Sequence, residues 1–200
     1  MSSLRERRKQ MLRDEIIEAA QSLIAEKGYG AMSMDELAAH VGISKPTLYS
    51  HFATKGDLVV EAATRELRQM AKLIESQPEE RSPLERLAFV MQKILERQLQ
   101  AHSLGIGPWP EVFRLLCEHE SSLSCMQQLD RYIVAQVQAG MAHGEIDPAL
   151  DEAAVVRAFY GMASAVPHGR ITAAPVVDLG RTADALVAIF VRGVRRSREA

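Results

Sequence analysis

Between Ser33 and Phe52 the chain reads SMDELAAHVGISKPTLYSHF, and no other stretch restricts the fold as much. Two apolar-periodic segments, each too short to be stable as an isolated helix, are separated only by VGIS. Ser33 and Glu36 form a capping box that opens a first short helix, ending near His40, and Gly42 breaks it. Ser44 can cap a second helix, in which Pro46 falls in the first turn and loses no intrahelical bond. Helix, tight turn and helix make a helix-turn-helix, whose second helix enters the DNA groove. Leu48 and Phe52 are four apart and turn inward, which leaves Lys45, Pro46, Thr47 and Tyr49 at the start and outer side.

Around this stretch the pattern stays helical. Residues 9–27 place Leu12, Ile16, Ala19, Ala20, Leu23 and Ile24 on one face and stop at Lys27-Gly28. Thr54 with Asp57 caps a longer helix toward Gln77, and Ser82-Pro83-Leu84-Glu85 caps another after a polar break with two prolines. Further helices are expected at 83–102, 109–118, 121–142, 149–166 and 180–197. With 5% aromatic residues and abundant Ala, Leu, Arg and Glu, the expected fold class is all-α. A helix-turn-helix domain over 9–56 is followed by a larger helical domain over 57–200.

The formal net charge of −2 excludes a globally basic surface, so any nucleic-acid contact must be a local patch. LRERRKQMLR sets Arg5, Arg7, Arg8, Lys9 and Arg13 against the single Glu6, although the plainer reading of residues 1–8 is a solvated tail. No stretch approaches the roughly 20 apolar residues of a spanning helix, and the N-terminus lacks a signal-peptide core, so a cytoplasmic protein without a membrane is expected. Cys117 and Cys125 read as reduced thiols. Cys117 and His119 diverge on a helix and chelate poorly, so no metal is expected. No phosphate loop, zinc-protease helix or nucleophile elbow appears, so neither catalytic residues nor a cofactor is expected.

MDELAAHVGISKPTLYSHFATKGDL, preceded by AEKGYGAMS and an amphipathic helix, resembles the DNA-binding domain of the TetR family of bacterial transcriptional regulators, over about residues 10 to 62. The resemblance implies that the helix carrying Lys-Pro-Thr-Leu-Tyr lies in the major groove while its end and the next helix hold phosphates. The residues carried over are Ser33, Met34, Ser44, Lys45, Pro46, Thr47, Tyr49, His51 and Lys55. Thr47 offers a hydroxyl and a methyl, Lys45 can reach guanine acceptors, and Tyr49 and His51 can bond phosphates or base edges. Lys55, in the first turn of the next helix, is assigned to a phosphate. The commonest family pattern has a glycine where Pro46 stands and an aromatic where Ser50 stands, which leaves base preference open.

Leu84, Leu87, Met91, Ile94, Gln98 and His102 follow an apolar stripe that turns polar. With Trp109, Phe113 and Met126 these residues can line a small-molecule pocket, as the resemblance implies, or they can be plain core packing. The last two helices are apolar over most of their circumference and need partners on several sides. Pairing them with a second copy makes a four-helix bundle, with Val155, Phe159, Met162, Leu186, Ile189 and Phe190 at the interface; a position central in one domain is the alternative. The expected protein is a homodimeric regulator, a repressor that binds a palindromic double-stranded operator and is released by a small-molecule effector. An activator, or an all-α binder or enzyme with an incidental helix-turn-helix, is the rival.

Overall fold

The computed structural model describes residues 3–103, 110–164 and 179–196, with the side chains of 25, 98–103, 110–111 and 179 outside the description. Its described elements are α1 (Leu4–Lys27), α2 (Met34–Val41), α3 (Lys45–His51), α4 (Lys55–Glu75), α5 (Pro83–Ser103), α6 (Pro110–Glu118), α7 (Glu120–Ala142), α8 (Glu152–Ala163) and α9 (Leu179–Val194). The all-α expectation holds. Local capping explains most boundaries. The Ser33 and Ser44 side chains accept from Glu36 and Thr47 amides, and Thr54 with Asp57 and Ser82 with Glu85 close reciprocal boxes.

α8 ends at Ala163 and α9 at Val194, each three residues before the expected end, and two starts differ for a local capping reason. The helix expected from residue 9 starts at Leu4, because Ser3 and Glu6 form a capping box: the Ser3 amide donates to Glu6 Oε2 (2.7 Å) and the Glu6 amide to Ser3 Oγ (3.2 Å). Residues 3–8 are therefore a capped helical start and not an unstructured tail. The helix expected from residue 149 starts at Glu152, because the Asp151 carboxylate takes the Ala154 amide at 2.8 Å.

The chain forms two compact units, and they divide it differently from the expected break at 56/57. One comprises residues 1–69 with 103–125, the other 70–102 with 126–200, so the divisions fall inside α4 and α7 and before the last residue of α5. In the first unit, Ile16, Ile17, Ala20, Leu23 and Ile24 of α1 pack with Leu37 and Ala38 of α2, Leu48 and Phe52 at α3, and Leu58 and Val59 of α4. Val112 of α6 packs against the same core. In the second, α5 supplies Leu84, Leu87, Val90, Met91 and Leu95 to a core shared with Ile133, Val137, Ile146 and the two last helices. The Phe159 and Phe190 rings meet edge to face there, 5.6 Å apart.

Candidate nucleic-acid interface

Gly42 makes the turn between the two short helices. It sits at φ 76°, ψ 29°, a left-handed conformation that strains any residue with a Cβ, and its amide closes the end of α2 on Ala38 and Ala39 carbonyls. The chain then re-enters a helix at once. Leu48 at 0% exposure and Phe52 at 2% anchor α3 in the core, so its opposite side must face outward. Ser44, Lys45, Pro46, Tyr49 and Ser50 are exposed there and Thr47 is half-buried.

This outer face is ordered by its own bonds. The Ser44 and Thr47 hydroxyl oxygens lie 2.7 Å apart, and Ser50 Oγ donates to the Thr47 carbonyl at 2.7 Å. Lys45 Nζ forms an ion pair with Asp35 of α2 at 2.5 Å. Each partner remains largely exposed, so the pair contributes little to stability but sets where the ammonium rests.

The far end of α3 is held by Arg13 of α1. Its Nη1 donates to the His51 carbonyl at 2.6 Å, its Nε to Glu61 Oε1 of α4 at 2.7 Å, and its guanidinium lies 4.1 Å from the Phe52 ring centroid. A second Arg13 contact to Glu61 completes a two-pronged ion pair, and these bonds hold the Glu61 carboxyl below its ordinary range. Arg13 was absent from the sequence-based site. The available signal was its place on the apolar side of α1, four and seven residues before Ile17 and Ala20, where a cation needs a partner.

Three of the expected contacts are buried or bonded within the chain. Met34 is 8% exposed and packs in the first core with Leu37 and Ala38, three and four positions on. Lys55 does not extend outward. Its Nζ donates to the carbonyls of Tyr29 and Met32, the latter at 2.7 Å, and lies 4.2 Å from the Tyr29 ring centroid. It thereby ties the loop between α1 and α2 to the first turn of α4. His51 is half-buried, with Nδ1 buried and without a partner among the described residues. Ser33 is exposed and serves as the α2 N-cap.

Lys55→Met is accordingly expected to lower the stability of the folded chain by about 1–3 kcal/mol, the scale of losing hydrogen bonds donated by a charged group. A urea melt checks this; an unchanged midpoint would return Lys55 to the phosphate role.

The residues suggested for a ligand pocket do not gather in one unit. Met91 is fully buried in the second core and Met126 is half-buried in that unit, whereas Phe113, on α6, belongs to the first and is 62% exposed. The side chains of Gln98 and His102, and all of Trp109, lie outside the described residues. Of the suggested dimer residues, Val155, Phe159 and Phe190 are buried in their own protomer's core, at 3%, 0% and 1% exposure. Part of the apolar circumference is therefore covered by the protomer itself. Met162 and Leu186 are half-buried, and Ile189 is exposed. Among the described residues, no cluster of His, Cys, Asp and Glu could hold a metal ion and no helix is long and apolar enough to cross a membrane.

A short helix anchored by two apolar residues, presenting hydroxyls and a cation beside a left-handed turn, defines a helix-turn-helix DNA-binding protein. Residues 16–62 match the bacterial regulatory proteins of the tetR family. The chain is 26% identical over 145 residues to a fatty acid metabolism regulator protein of Bacillus subtilis, covering 68% of this chain and 72% of that protein. It is 30% identical over 142 residues to the transcriptional repressor KstR of Mycobacterium tuberculosis, covering 70% of this chain and 61% of that protein. The crystal structure of the Bacillus subtilis regulator FadR in complex with stearoyl-CoA shares the fold, with a TM-score of 0.66, 20% identity, and coverage of 90% and 98% of the two chains. Over residues 16–62 the chain is a TetR-family DNA-binding domain, and the protein is a DNA-binding transcriptional regulator.

Proposed function

We propose that this regulator is a homodimeric repressor, acting in the cytoplasm by binding and not by catalysis, which holds a palindromic operator and releases it to an apolar effector. The outer face of α3 carries the reading: Ser44, Lys45, Thr47 and Tyr49 form an ordered donor surface backed by Leu48 and Phe52. Ser33 and the exposed Pro46 complete the surface facing the duplex, and His51 marks its end. Two copies of α3 must then lie about 34–36 Å apart, one turn of B-DNA.

Pairing is supported by Ile189, 55% exposed on α9 with exposed Ala185 and Gly193 four residues to either side. A Cβ at Gly193, or at Gly161 of α8, would meet nothing within 4 Å, so these surfaces admit a close partner. Met162 and Leu186 belong to this interface, and Val155, Phe159 and Phe190 support it from beneath.

The effector chemistry is suggested by the relatives, one named for fatty acid metabolism and another bound to stearoyl-CoA. The helices after α4 are its proposed seat, with Met91, Gln98, His102, Trp109, Phe113 and Met126 retained as candidate contacts. A ligand releases DNA only if it binds more tightly to a state with the wrong α3 spacing. The test selects duplexes bound by the full chain from a random pool, then adds stearoyl-CoA or a ketosteroid, the class for which a structural neighbour, the regulator KstR2 of Mycobacterium tuberculosis, is named. Recovery of a palindrome that either compound dissociates supports the whole reading. No enriched duplex removes DNA recognition; an enriched duplex that neither compound releases removes the effector class.

A further inference from the structure

The basic start of α1 is not used by the helix-turn-helix itself. Residues 4–11 are all exposed, and the first fully buried side chain of α1 is Ile16, so about two turns of this helix project beyond the core it belongs to. The overhang is a capped helix, because the Ser3–Glu6 box closes it, and that box occupies the Glu6 carboxylate. Among the described residues, no carboxylate pairs with Arg5, Arg7, Arg8 or Lys9.

Position gives this charge a direction. Arg5, Lys9 and Arg13 are spaced four apart and so follow one side of α1, with Lys9 about 6 Å and Arg5 about 12 Å along the axis from Arg13. Arg13 is bonded to the His51 carbonyl at the end of α3, so the row begins at the recognition helix and continues past it. Beside it, His51 Nδ1 is buried with no partner among the described residues. Burial first, then Arg13 and Lys9, push the His51 imidazole below its ordinary range, which sets Lys9 in the same cationic neighbourhood. Glu61, the carboxylate nearby, is already engaged by Arg13.

We propose that the overhanging start of α1 is a phosphodiester-binding element, in which Arg5 and Lys9 contact the operator backbone beyond the groove read by α3. It rests on the reading of α3 as the recognition helix. Such contacts carry no base information; they raise affinity for every duplex and fix the orientation of α3 through Arg13. Arg7 lies about 240° around the axis from Arg13 and takes no part.

The test compares the full-length chain with the double variant Arg5→Gln, Lys9→Gln and with Arg7→Gln, by fluorescence anisotropy on the selected operator and a scrambled duplex across a salt series. These side chains are exposed and without carboxylate partners, so melting curves serve as the folding control. The double variant is expected to lose affinity on the order of tenfold or more per subunit on both duplexes, with the salt slope falling by about 0.9 for each phosphate given up. Arg7→Gln should leave the slope in place. An unchanged slope in the double variant overturns the proposal, and so does an equal fall in Arg7→Gln, which would mean a diffuse field without a seat on this side of the helix. Thr47→Ala, measured in parallel, keeps the two readings apart. If it relaxes operator preference while the double variant changes nothing, only this proposal fails; if it too changes nothing, the recognition-helix reading has failed.

Discussion

Ile189→Asp is expected to yield a folded monomer, whereas Phe159→Asp is expected not to fold. Ile189 is 55% exposed in the protomer, so a carboxylate there costs the isolated subunit little; in a two-fold pair of α8–α9 surfaces it would be buried twice and without a partner. Phe159 is fully buried, and its ring packs edge to face on Phe190 and on Tyr160. Even the milder Phe159→Ala should cost about 3–5 kcal/mol, a large share of the roughly 5–15 kcal/mol that holds a domain folded. Sedimentation and circular dichroism separate the two cases. A dimeric Ile189→Asp protein with unchanged operator affinity would remove α9 from the interface.

Thr47→Ala is expected to lose about 1–3 kcal/mol in each half-site, or about 5- to 150-fold per half-site, on the selected operator and much less on a scrambled duplex. Lys45→Ala should relax preference at a different base pair. Tyr49→Phe separates the roles of ring and hydroxyl, since the ring is partly exposed and its loss is not being tested. Binding curves on single-base operator variants read each case. Equal losses on operator and scrambled duplex would turn Thr47 into a backbone contact.

The order and approximate bounds of the helices were legible because capping is a local event: Ser33 with Glu36 and Ser82 with Glu85 lie three residues apart and their bonds form as the spacing predicts. The same signal stood at Ser3 and Glu6, but the surrounding run of arginines suggested a solvated tail and masked it. The burial of Met34 was legible in its spacing to Leu37 and Ala38, three and four positions on. Lys55 was not recoverable that way, since its partners are carbonyls of a loop 23 and 26 residues earlier and no side-chain periodicity encodes them. For α8 and α9 the pattern showed that several sides had to be covered, but periodicity cannot distinguish a neighbour in the same chain from one in a copy.

The Asp35–Lys45 pair bears on how sharply an operator can be defined. A site whose donor is left stranded by the wrong base rejects that base strongly, because the unpaired group carries the penalty. Lys45 is never stranded. Facing a base with no acceptor in reach, the ammonium keeps its aspartate, and the cost of the mismatch is only the difference between two exchangeable partners. With Lys45 in its proposed place against a base, the preference expected at that base pair is graded, so duplexes that differ only there are expected to bind with comparable affinity.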